Sequence, residues 1–150
     1  MGYIADELRT TIARVGIAAE EPSPDLLRAI REGLYSRFIE PSGEGPLWER
    51  IQGDVSVRSP DAWQWISSVP LSGRAILFFE EQEESAGFAF HSGADVVSTL
   101  AESTGFEFYL TDDAMSFLLA FNHHDYLSAT GGAAGWLRDL LRRGAPALGS

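Results

Sequence analysis

Asn122-His123-His124-Asp125 places two of the chain's three histidines side by side, with an amide before them and a carboxylate after. Residues of these types can ligate a divalent cation or move protons near neutral pH, because a neutral imidazole binds metal and titrates in that range. A metal centre needs three or four donors converging at about 2.0–2.2 Å, and adjacent histidines in a turn point apart, so only one of the pair serves readily. The remaining imidazole is His91. A metal-dependent enzyme would therefore draw on His91, His123, His124 and Asp125, with Asp112 as a substitute carboxylate. No H-E-x-x-H or comparable spacing supports that set, and the chain has no cysteine to add a thiolate.

The competing reading of the same four residues is a polar hairpin turn. With His123-His124 as a two-residue loop, Asn122 opposes Asp125, Phe121 opposes Tyr126 and Ala120 opposes Leu127. Phe121 and Tyr126 then share one face, while Leu118, Ala120, Leu127 and Ala129 share the other. Asn122 and Asp125 are expected to bond the turn amides. A helix through residues 114–129 also fits the apolar spacing, but Asp112-Asp113 before and Gly131-Gly132 after bracket two segments of strand length. The hairpin is preferred, and with it no catalytic residues, no metal and no cofactor.

Other chemical signatures are weaker. There is no G-x-S-x-G elbow, phosphate loop or G-x-G-x-x-G. Gly131-Gly132 ahead of a helix reads as a tight connection before it reads as an anion site. Glu80, Glu81, Glu83 and Glu84 lack the oxygen spacing and the glycine of a calcium loop.

Charge is more informative. The formal net charge is −11 and every basic residue is arginine; residues 75–137 contain no lysine or arginine against ten carboxylates. A one-signed field of this kind repels nucleic acid and anionic membrane and attracts a basic protein. The residues expected to meet such a partner are Glu80, Glu81, Glu83, Glu84, Asp112, Asp113 and Asp125, with Trp63 or Tyr126 as an aromatic anchor.

The elements that must position these residues follow from periodicity. Ile4, Leu8, Ile12 and Val15 give a helix over residues 3–19, and Ser23-Pro24-Asp25 starts a second over 24–38. Ser59-Pro60-Asp61 starts a short helix with Ala62, Trp65, Ile66 and Val69 on one face, leaving Trp63 off that stripe. Residues 74–80 form a continuous apolar run, as in a strand covered on both faces, and 87–91 alternate as a second strand. Ser92 caps a helix with Val96, Val97, Leu100 and Ala101 inward; 106–111 is a strand, the hairpin follows, and a last helix over 133–143 turns Leu137, Leu140 and Leu141 inward.

These elements predict one α+β domain over residues 1–150. It has two layers, with a mostly antiparallel sheet of about five strands packed with N-terminal helices, one inserted helix and a C-terminal helix. The first residues, MGYIADELRT, carry charge early, which predicts neither a signal peptide nor a spanning helix and makes the cytoplasm the expected compartment.

AWQWISSVPLSGRAILFFEE (62–81) followed by EFYLTDDAMSFLLAFNHHDYLSATG (107–131) resembles a group of small bacterial domains. Those share a Trp-containing short helix, a Phe-rich strand and an Asn-His-His-Asp turn before a glycine. Similar small acidic α+β proteins serve as immunity proteins in polymorphic-toxin and contact-dependent inhibition systems. The resemblance implies a non-catalytic binder that occludes a basic toxin domain, a nuclease being one candidate. The metal-dependent enzyme and a homodimeric structural or regulatory domain are the alternatives.

Overall fold

The computed structural model describes residues 3–41 and 43–144. Two helix starts carry the side-chain caps that their sequences predict. Ser23 Oγ accepts the amide of Leu26 at 3.1 Å ahead of α2 (Pro24–Phe38), and Ser92 Oγ accepts that of Asp95 at 3.1 Å ahead of α3 (Gly93–Ala101). α1 (Tyr3–Val15) buries Ile4, Ala5 and Leu8 and stops at Gly16, where φ is +82°. The helix expected over 3–19 thus ends early, and Ala19–Glu20 becomes a short strand, β1. Ser59-Pro60-Asp61 leads into a 3-10 helix, Ala62–Ser68, without a side-chain cap. Ala62, Trp65, Ile66 and Val69 are buried on its inner side. α4 (Gly132–Arg142) buries Leu137 and Leu140, whereas Leu141 is exposed.

Seven strands pair antiparallel throughout, in the order β1-β4-β3-β5-β6-β7-β2. They are β2 (Val55–Arg58), β3 (Ala75–Phe78), β4 (Phe88–Phe90), β5 (Phe108–Asp112), β6 (Phe117–Phe121) and β7 (Tyr126–Gly131), with β1 at the far edge. The expectation of about five strands is corrected to seven. Both unforeseen strands are edges, of two and four residues, and neither carries an unbroken apolar run like that of β3.

The two-layer expectation is also corrected. Along β3, Ala75 and Leu77 enter a core shared with α1, α3, α4 and the 3-10 helix, while Ile76 and Phe78 enter a second core under α2 and the 3-10 turn Leu47–Glu49. The sheet is therefore the middle of three layers, as the unbroken apolar run of β3 requires. Close packing fixes the first layer: a Cβ on Gly93 would stand 2.2 Å from the Ile66 carbonyl oxygen, so only glycine lets α3 start against the 3-10 helix. Among the described residues no helix is long and apolar enough to cross a membrane.

Candidate functional site

The hairpin exists, but its register differs from the expected one by a residue. Phe121 opposes Leu127 and Ala120 opposes Ser128, so the loop is the triplet His123-His124-Asp125. Asp125 adopts φ +66°, and the Asn122 carbonyl accepts its amide at 3.0 Å. A two-residue loop would need positive φ at His123, or at both histidines, whereas the three-residue loop needs one left-handed residue at 125, a role aspartate tolerates. Buried Asn122 closes the turn: its Oδ1 accepts the amides of His124 at 2.8 Å and Tyr126 at 3.2 Å. The one-residue shift turns Leu127 inward with Phe121 and sends Tyr126 to the opposite face.

Each histidine can now be placed. The His123 amide donates to Glu107 Oε2 at 2.9 Å, and its ring Nδ1 meets the same oxygen. The rings of His123 and His124 lie 3.9 Å apart between centroids and both present to the edge of Trp48, at 5.9 and 5.8 Å. His91 follows Phe90, whose strand position pairs with Ala75 and, through it, with Asp112 at the opposite end of β5 from Phe108. Three strand spacings and the length of β5 put His91 on the order of 20 Å from the hairpin. The set His91, His123, His124 and Asp125 is not brought together. Among the described residues no group of three or more histidines and carboxylates is placed to hold a metal ion.

The expected acidic front is divided by the fold. Glu80 accepts the Leu47 amide at 2.9 Å and the Tyr109 hydroxyl, and burial together with that carboxylate raises the Tyr109 pKa. Buried Glu84 accepts the amides of Ala5 at 2.9 Å and Ala86 at 3.1 Å, tying the start of α1 to the loop after β3. Asp112 is fully buried and accepts the amides of Ser72 at 2.8 Å and Ser116 at 2.9 Å, together with the Ser116 hydroxyl. Asp113 is held by the Arg74 guanidinium at 2.9 Å, which lowers its pKa. These four build or staple the structure. Glu81, Glu83 and Asp125 remain with no hydrogen bond to their carboxylates among the described residues.

The strand register gathers the unpaired acids at one end of the sheet. The loop after β3, Glu107 before β5, and the β6–β7 hairpin all lie at the end marked by Phe78, Tyr109 and Ala120. Buried Arg31 on α2 lies 5.1 Å from the Phe78 ring centroid, and the charges of Glu81 and Glu80 favour its guanidinium. Its pKa is lowered by burial. Arg58 opposes Tyr126 on the face away from α3.

Between the 3-10 helix, the segment after α3 and the hairpin lies a cleft of about 450 Å³, lined by Trp63, Phe106, Phe121, Glu107, His123 and Asp125 among others. Trp63 is half-buried against the α3-side core and lines this cleft, while Tyr126 projects from the other face, so the two expected anchors do not share a patch. Glu107 and Trp48 were not singled out from the sequence. The signal for Glu107 was its place immediately before a Phe-rich strand that pairs with Phe121; without the register it was one acid among ten.

No family model, curated protein or solved structure matches this chain.

Proposed function

We propose that this chain is a non-catalytic protein-binding module that engages a basic protein with the hairpin end of its sheet. One observation carries the reading. Glu81, Glu83 and Asp125 stand at that end without a hydrogen-bonded partner among the described residues, while Glu80, Glu84, Asp112 and Asp113 are consumed in holding the fold. Carboxylates left without hydrogen bonds in a region of 63 residues without lysine or arginine raise the rate of encounter with a positive surface. Apolar contact in the adjoining cleft then supplies residence time.

The size, charge and domain type fit an immunity-type protein that occludes a basic toxin domain in the bacterial cytoplasm. If that toxin is a nuclease, the carboxylates would occupy the surface meant for phosphates. Co-expression with the product of the adjacent gene tests this. The expected product is basic and co-purifies in a complex whose association rate falls steeply with added salt. A neutral or acidic neighbour, or a complex indifferent to salt, removes the reading.

A further inference from the structure

The cleft beside the hairpin has a composition that selects one kind of ligand. We infer that it receives the guanidinium side chain of an arginine presented by a protein partner. The inference rests on the reading that the partner is basic and names the group that enters.

Aromatic walls come first. Trp63, Phe106 and Phe121 line the space, and Phe121 stacks on Phe108 at 5.8 Å between centroids, so the wall at the β5–β6 end is firm. Rings of this kind attract a planar delocalised cation more than a compact hydrated one. The charged groups come next. The Glu107 side chain is only 15% exposed and its Oε2 is taken by His123, while its Oε1 accepts no hydrogen bond among the described residues. Asp125 lines the same cleft and its carboxylate likewise accepts no hydrogen bond among the described residues, and neither lysine nor arginine lines it.

A half-desolvated carboxylate with a free oxygen attracts a cation more strongly than one in bulk water, since the local dielectric is lower. An apolar ligand would bury both carboxylates without compensation, and an anion would be repelled. Lysine could neutralise one carboxylate, but it offers neither the flat face nor the paired donors of guanidinium. The cleft volume lies within the range of sites that enclose a small ligand or one anchor side chain. His123 acts here as a positioning residue: its amide and ring both meet Oε2, which fixes the carboxylate and leaves Oε1 without a hydrogen bond among the described residues.

The test titrates the full chain with N-acetyl-arginine methylamide and, in parallel, the uncharged citrulline and the lysine counterparts, following backbone and indole N–H resonances. Saturable shifts are expected at Trp63, Glu107 and Asp125 with arginine, and the citrulline and lysine compounds should each bind at least about tenfold more weakly. Glu107→Gln and Asp125→Asn should each weaken arginine binding by about tenfold with unchanged thermal melts, since asparagine accepts the left-handed backbone at 125. Absence of saturable shifts overturns the assignment, as does an equal response to arginine and citrulline. The titration needs no partner protein, so that outcome leaves the co-expression experiment to decide the basic-partner reading. A basic neighbour that binds wild type and both variants alike would likewise overturn the arginine cleft alone.

Discussion

Asn122 and Asp125 divide the work of the hairpin, and the division could be read only in part from their types. Both were expected to bond turn amides; the structure gives that task to Asn122 and uses Asp125 for its backbone. Asn122 Oδ1 serves two amides from a buried position, so Asn122→Ala leaves both without their acceptor and should cost about 1–3 kcal/mol. At 125 the constraint is φ +66°, so Asp125→Gly should hold or raise stability and Asp125→Val should lower it by about 1–2 kcal/mol. Urea denaturation of the three variants checks the pattern. Equal losses at Asn122→Ala and Asp125→Gly would contradict it. The site was legible in its residues and not in its partners. Histidine, aspartate and asparagine announced a polar turn, but the contact of His123 with Glu107 depends on a strand pairing that no local pattern encodes.

At the level of elements, local signals specified what each segment is more firmly than where it packs. Ser23 and Ser92 cap as expected because capping is a bond between neighbours in sequence. The third layer was implicit in β3, whose four buried residues alternate between two cores, yet α1 and α2 each show a single apolar stripe that fits either side of a sheet. The hairpin register is hidden for a related reason: β6 and β7 are buried on both faces, so their pattern tolerates a slip of one residue and the turn's φ requirement decides. Packing between elements yields a contrast that local propensity alone does not. Gly93 opens α3, and Gly135 lies inside α4, where alanine is normally preferred by about 0.5–1 kcal/mol. A Cβ at Gly135 meets nothing within 4 Å, so Gly135→Ala should stabilise by that amount. At Gly93 the Cβ would collide with the Ile66 backbone, so Gly93→Ala should destabilise by about 1–3 kcal/mol or more by prising α3 from the 3-10 helix. Thermal melts of the two variants should move in opposite directions.

Over the whole molecule, several arginines staple acids, while Arg37 and Arg50 donate to backbone carbonyls. Arg9 binds Glu21 and Asp6, Arg14 binds Glu102, Arg28 binds Asp25, and Arg74 joins Asp113 to Glu20 across β1 and β3. Contacts with Arg9 and Arg74 lower the pKa values of Glu21 and Asp113 respectively. In both cases the unfolded chain takes up the proton first, so this stabilisation is complete above roughly pH 4.5 and is lost as pH falls through the lower folded values. Both carboxylates are largely exposed, so the contribution is small. At the hairpin end no salt bridge among the described residues reaches Glu83 or Asp125, and at a net charge of −11 keeping them open costs stability through repulsion. Two opposite responses to salt follow. Raising ionic strength from about 20 mM to about 0.5 M should raise the Tm of the isolated protein, because screening relieves repulsion among exposed charges. Glu83→Lys should raise Tm at low salt and shrink the salt response, while slowing association with a basic partner by about fivefold; Glu81 is left in place because its charge favours buried Arg31. A surface whose acids merely solvate the fold would show the stability change without the change in association rate. A Tm that falls with salt in the wild type would mean that the arginine staples outweigh the repulsion, and the hairpin end would lose its standing as a charge held open for recognition.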